Sequence, residues 1–168
     1  SGKEIRHFAF ALEDEGLEYE AGDAMGVIPL NGRDYVDAII DRLGATWETS
    51  VEGHDAPLGE LLTSTFEIMT PNKETIAKIA DRADDDELCH VITNGDKEAI
   101  EAFMWGNDTL DLLNLNSKAT FGADEFVSWL KPLQHRAYSI SSSPKAHPGE
   151  VHLTVAAVRW QKGGREHR

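Results

Sequence analysis

Arg136 and Tyr138 stand two positions apart in the run RAYSISSSP, residues 136–144. In an extended segment both side chains project from one face. A guanidinium grips a phosphate through two parallel hydrogen bonds, and a phenol ring can lie flat against an aromatic ligand. Ser139, Ser141, Ser142 and Ser143 keep the surface low and supply donors. A strand built only for packing prefers Val, Ile and Phe. The chemistry that fits is a ligand with a flat ring and an anionic tail, and a flavin dinucleotide meets that description. A surface strand that happens to carry an arginine and a tyrosine accounts for the same residues about as well.

Other chemistries find less support. No G-x-S-x-G elbow surrounds the serines, and neither a positioned base nor an oxyanion hole is indicated, so a hydrolase nucleophile is not expected. No G-x-G-x-x-G or Walker loop is present to cradle phosphates. The seven histidines (7, 54, 90, 135, 147, 152 and 167) form no H-E-x-x-H, and Cys89 is the single cysteine, so no metal site is expected. Asn107-Asp108-Thr109 matches the glycosylation triplet, a pattern common by chance.

The net charge of −14 disfavours nucleic acid and anionic membrane surfaces as partners. An acidic surface can attract a basic protein, or it can simply be solvated. One cysteine allows no internal disulfide, which fits a reducing, cytoplasmic location. No segment approaches the roughly 18 apolar residues of a membrane helix. The start, SGKEIRHFAF, has no signal-peptide apolar run and reads as a cut inside a longer protein.

The elements that must position Arg136 and Tyr138 fall into three blocks. Residues 4–12, EIRHFAFAL, suit a strand buried on both faces, and AMGVIPL, 24–30, suits a strand ending at an edge. EDEGLEYEAGD between them reads as a turn, a short strand and another turn. Tyr35, Ile39, Ile40 and Leu43 then take helical spacing, with Gly44 placed to end the helix. Leu58, Leu61, Leu62 and Phe66 line a second helix, which Gly59 weakens by about 1 kcal/mol relative to Ala. Thr70-Pro71 reads as a helix start ahead of the Ile76, Ile79, Ala80, Ala83 stripe. DKEAIEAFMW, DTLDLL and ADEFVSWL continue the helical pattern to about Leu130. Strand character returns in AYSIS and in VHLTVAAVRW, residues 151–160, before QKGGREHR closes the chain with glycines and charges. The order β, helices, β reads as a sheet or barrel interrupted by a helical insertion, since neither β block has enough strands to bury its own faces.

HRAYSISSSP, with PLQ before it and HLTVAAVRW after it, closely resembles the FAD-binding segment of the diflavin reductases. That family comprises the NADPH–cytochrome reductases, the reductase parts of nitric oxide synthases and the flavoprotein subunit of NADPH–sulfite reductase. The wording is most like the bacterial sulfite reductase branch. LEYEAGDAMGVIPLN is similar to the family's second signature, and the helical block matches its connecting domain in position and size.

The resemblance implies an α+β fold: a partial antiparallel, ferredoxin-reductase-like flavin-binding β-barrel interrupted by an all-helical connecting domain. Residues 1–32 would begin the barrel, 33–131 form the connecting domain, and 132–168 resume the barrel, truncated. It implies that Arg136 pairs with the FAD pyrophosphate and that Tyr138 packs on the isoalloxazine. Ser139 would hydrogen-bond near the reactive edge and assist hydride transfer. Strict alternation puts Ser139 opposite Tyr138, so a bend or a main-chain contact is expected there. Thr154, Val155 and Ala156 would run along the cofactor, Trp160 would lie by the adenine, and Arg6 would reach NADPH phosphate. For these last five, packing or solvent roles fit the sequence at least as well.

The family pattern continues into a Gly-x-x-Ser/Thr helix start that holds the pyrophosphate, and this chain stops at GGREHR before it. The implied function is an NADPH-dependent reductase passing electrons from NADPH to FAD to FMN to a metalloprotein acceptor. The NADPH-binding and FMN-binding domains would lie outside this chain, and the isolated piece would be inactive. The alternative is a non-catalytic spacer that binds no flavin.

Overall fold

The computed structural model describes residues 4–13, 18–84, 86–94, 97–162 and 164–167. In chain order the elements are β1 (Glu4–Ala11), β2 (Ala24–Val27), α1 (Arg33–Arg42), α2 (Leu58–Ser64), β3 (Phe66–Glu67), α3 (Lys73–Ala83), α4 (Asp86–Asn94), α5 (Lys97–Met104), α6 (Thr109–Leu113), α7 (Ala123–Trp129), β4 (Lys131–Pro132), β5 (Arg136–Ser139), β6 (Glu150–Ala157), β7 (Trp160–Lys162) and β8 (Arg165–His167). The chain folds as two compact units, Ser1–Pro29 with His135–Arg168, and Leu30–Gln134.

The Leu30–Gln134 unit is helical because its apolar residues recur at helical spacing and share one core. Val36, Ile39 and Ile40 of α1, Leu58 and Leu62 of α2, Ile76 and Ile79 of α3, and Phe126 of α7 are buried together. Gly44 takes φ +64 just past α1, as its place predicts. The cap of α3 differs from the expected Thr70. Asn72 accepts hydrogen bonds from the Glu74 and Thr75 amides, and its own amide nitrogen donates to the Trp129 carbonyl, tying α3 to the end of α7. Arg42 closes the unit: its guanidinium donates to the carbonyls of Leu113, Asn116 and Ala119, and burial pulls its pKa below the ordinary value. The unit is not purely helical. Phe66–Glu67 pairs with Lys131–Pro132 as a short antiparallel ladder.

Gly59 has a role that helix propensity does not reveal. A Cβ at this position would sit 2.0 Å from Cδ2 of the Trp47 ring. The glycine lets the indole pack directly on the α2 backbone.

In the other unit β1 pairs with β6 from Glu4↔Ala157 to Ala11↔Glu150, and β2 pairs with β5 from Ala24↔Ser139 to Val27↔Arg136, both antiparallel. A single bridge, Ile140↔Leu153, links β5 to β6. Among the described residues the strands form two-stranded ladders and no closed barrel. Ile140, Val151 and Leu153 make a small core with Phe10, Tyr19, Met25, Tyr138 and Val155 packed on it.

Three strand readings change. β1 is exposed along most of its length, with Ile5 65% exposed, because among the described residues β6 is its one ladder partner. The expected 151–160 strand breaks at Val158-Arg159, and Trp160 begins β7, which pairs with β8 in the closing segment of glycines and charges. Glu18 to Glu20 take no strand pairing, and residues 14–17 of the same expected turn-strand-turn lie outside the described residues.

Candidate flavin-binding strand

The ladder between β2 and β5 sets out the side chains of the 136–139 run. Directly opposed residues share a face, so Arg136 lies with Val27, Tyr138 with Met25, and Ser139 with Ala24 on the other side. Tyr138 is half-buried against the Ile140–Val151–Leu153 core, and Arg136 is exposed. Among the described residues the Arg136 guanidinium has no hydrogen-bond or ion-pair partner. The opposite face is low: Ala24, Gly26 and Ala137 carry little side chain there, beside the His135 ring.

Alternation holds through Ser139. The ladder includes it, and no residue of β5 has positive φ, so no left-handed bend swings its hydroxyl onto the Tyr138 face. The Ile140↔Leu153 bridge, continued by register, sets Ser139 level with Thr154 and Tyr138 level with Val155. Thr154 and Ala156 are exposed on the Ser139 side, and the Thr154 hydroxyl donates to Ser141 Oγ at 3.3 Å. Val155 turns to the Tyr138 side and packs on the same small core.

Arg6 and Trp160 are engaged elsewhere. Arg6 shares the Val155 face through direct pairing, but its Nε donates to Glu4 Oε1 at 2.7 Å. Glu4 also meets Arg159, which reaches Glu166. The Arg6 hydrogen bond, with the Arg159 charge, holds the Glu4 carboxyl below its ordinary value against the opposing effect of burial. The Trp160 ring stacks on His167 at 5.2 Å between centroids. The structure thus brings Arg136, Tyr138 and Val155 to one face, and Ser139, Thr154 and Ala156 to the other. Trp160 sits in the β7–β8 hairpin.

A lock behind this strand was not singled out in the sequence. Tyr19 donates its hydroxyl proton to the Glu150 carbonyl at 2.8 Å. A phenol has one proton, so Ser142, 2.7 Å from the same oxygen, is the donor to Tyr19. Ser142 Oγ in turn accepts the His152 amide at 3.0 Å. One tyrosine therefore ties the segment before β2 to both ends of the β5–β6 connection. The available signal was Tyr19 in LEYEAGD, whose neighbours form a turn: Gly22 takes φ +102, and the Asp23 carboxylate accepts the Glu20 amide. The Asp23 carbonyl accepts the Ile140 amide at 2.7 Å, extending the grip on β5. The open groove beside the lock, about 1050 Å³, carries Glu18, Glu20 and Asp23 against Lys145, a charge balance unsuited to a pyrophosphate.

The model for the FAD binding domain family matches residues 1–168, the whole length. The chain belongs to the FAD binding domain family. Relatives of this FAD binding domain include the sulfite reductase (NADPH) flavoprotein alpha-components of Bacillus subtilis, 38% identical over 100% of this chain, and of Vibrio cholerae serotype O1, 34% identical over 99%. That of Neisseria meningitidis serogroup A is 36% identical over 98%. The FAD binding domain spans 28% of the Bacillus protein's length and 27% of each of the other two. Among the described residues no helix is long and apolar enough to cross a membrane.

Proposed function

We propose that this chain is the FAD-binding and connecting region of an NADPH-dependent diflavin oxidoreductase of the sulfite reductase flavoprotein type. In the whole protein, electrons pass from NADPH to FAD to FMN and on to a metalloprotein acceptor. The NADPH-binding and FMN-binding domains of the same polypeptide are its first partners. The observation that carries the reading is the family match over the full chain, joined by relatives that bear one name. Residues 33–131 would serve as the connecting domain, and the β1–β6 and β2–β5 ladders as portions of a flavin-binding barrel.

The residues present fit FAD. Arg136 is an exposed cation whose guanidinium has no carboxylate partner among the described residues, and a pyrophosphate needs such a group. Tyr138 is a half-buried ring that the core beneath it holds in place. Flavin, when bound, supplies both hydride acceptance and one-electron release. The protein's part is orientation and charge. Arg136 neutralises the diphosphate, Tyr138 supplies a flat apolar wall, and Val155 extends that wall. Ser139 projects from the other face of β5, level with Thr154, so its hydroxyl would reach a flavin on the Tyr138 face only if FAD binding turns the end of the strand. Arg6, held by Glu4, is available to an NADPH phosphate only by exchanging one anion for another.

Ser139→Ala in the full-length protein tests the assignment. We expect retained yellow colour and flavin reduction by NADPH slowed about 100-fold, the usual scale for removing one positioned donor. Reduction at the wild-type rate would exclude Ser139 from the chemistry.

A further inference from the structure

The turn that enters β6 gathers groups of another kind. His147-Pro148-Gly149-Glu150 closes through a Glu150 amide to His147 carbonyl hydrogen bond of 3.3 Å, with Gly149 at φ +78. Proline second and a positive-φ glycine third are the marks of a type II turn. The turn brings His147 and Glu150 together, and Leu12 anchors it by donating its amide to the Gly149 carbonyl at 2.8 Å. His152 is two residues further along β6, on the Glu150 side of the strand. Its Nε2 is 2.9 Å from Glu150 Oε2, and its ring centroid is 4.3 Å from that of His147.

One ligand atom from each of His147, Glu150 and His152 falls within 4.8 Å of the other two. Opposite them on β1, Ala11 faces Glu150 and Ala9 faces His152, so the neighbouring strand leaves the space open. The His7 ring stands edge-on to His152, 4.9 Å away between centroids. The spacing is H-x-x-E-x-H, which a search for H-E-x-x-H passes over.

We propose that His147, Glu150 and His152 form a binding site for a divalent transition-metal ion of the zinc class. Two imidazoles and one carboxylate suit Zn²⁺ and its neighbours Co²⁺ and Ni²⁺. Metal–ligand bonds of about 2.0–2.1 Å set tetrahedral ligands about 3.3 Å apart. His152 and Glu150 already stand closer than that. His147, on the exposed turn, makes the remaining inward adjustment. Three protein ligands leave a fourth position for water. Ligation takes both imidazoles in the neutral form and the Glu150 carboxyl ionised, so the ion would replace the proton shared between His152 and Glu150. A bound ion pins the turn to β6, next to the Tyr19–Ser142–His152 lock.

The test uses the full-length protein, treated with chelator and then titrated with Zn²⁺ by calorimetry, beside His147→Ala and Glu150→Gln. His147 is exposed, so its removal does not threaten the fold, and circular dichroism checks that. The expected result is a zinc equivalent in the wild type that is bound at least tenfold more weakly in both variants. Visible Co²⁺ bands should appear in the wild type and be absent from His147→Ala. Zinc should also slow amide exchange at His152 in the wild type alone. Equal zinc affinity in wild type and His147→Ala, or no zinc bound by the wild type at tens of micromolar, would overturn the proposal and leave His152–Glu150 as a hydrogen bond only.

Discussion

Tyr19→Phe isolates the lock behind the candidate flavin-binding strand. The substitution keeps the ring, which packs against the Ile140–Val151–Leu153 core, and deletes only the hydroxyl. Two hydrogen bonds vanish, the part-buried one to Ser142 at 2.7 Å and the exposed one to the Glu150 carbonyl at 2.8 Å. A net intramolecular hydrogen bond contributes about 0.5–1.5 kcal/mol, so the buried one is taken near 1 and the exposed one near 0.5. The sum, about 1.5 kcal/mol, corresponds to roughly a tenfold change in a local opening equilibrium. The reporter is the His152 amide, which donates to Ser142 Oγ and is freed when the connection opens. Hydrogen exchange on the full-length protein, resolved by peptide, should show about tenfold faster exchange over β6 and no change in α3, which belongs to the other unit. Adding Ser142→Ala should cost less in the Tyr19→Phe background than in the wild type, because the shared bond is already gone. Unchanged exchange at His152, or fully additive costs, would refute the reasoning.

Gly59→Ala should destabilise the helical unit by about 1–3 kcal/mol through overpacking against Trp47, opposite in sign to the roughly 1 kcal/mol gain that helix propensity assigns to alanine. Thermal melting of the variant decides between the two signs. Arg6→Ala should let the Glu4 carboxyl rise toward its ordinary 4.5, since the Arg6 hydrogen bond is the first cause of its depression. The pH sign follows from that depression: the Glu4 contribution is present above about 4.5 and fades as pH falls through the lower folded value, and Arg6→Ala should flatten that fade. An NMR titration of the Glu4 side chain checks both points.

The helical core was readable because its signal is local. Ile76, Ile79, Ala80 and Ala83 repeat at helical spacing and are all buried, and Gly44 ends α1 in the conformation glycine favours. Helix α4 lies inside the expected helical block but was not set out by name, although its apolar stripe is no weaker than that of α1. The α3 cap moved from Thr70 to Asn72 because Asn72 bonds at both ends, to its own helix and to Trp129, and the second partner is 57 residues away. Gly59 was misjudged for a similar reason: its worth lies in the Trp47 ring, which no propensity encodes. At the site, alternation alone placed Arg136 with Tyr138 and Ser139 opposite, and the ladder with β2 keeps that arrangement. The Tyr19 lock spans 123 residues to Ser142 and lay beyond any local pattern. The break at Val158-Arg159 was hidden too. Arg159 leaves the strand for Glu4 and Glu166, two charges that a reading of residues 151–160 does not contain.

The most direct measurement is the flavin content of the full-length protein carrying Arg136→Ala and Tyr138→Ala, purified without added cofactor and read by visible absorption. A phosphate clamp and a ring wall lost together should leave a protein that folds, by circular dichroism, yet retains little FAD and is bleached slowly by NADPH. A double variant that keeps a full complement of FAD and is reduced at the wild-type rate would contradict the account.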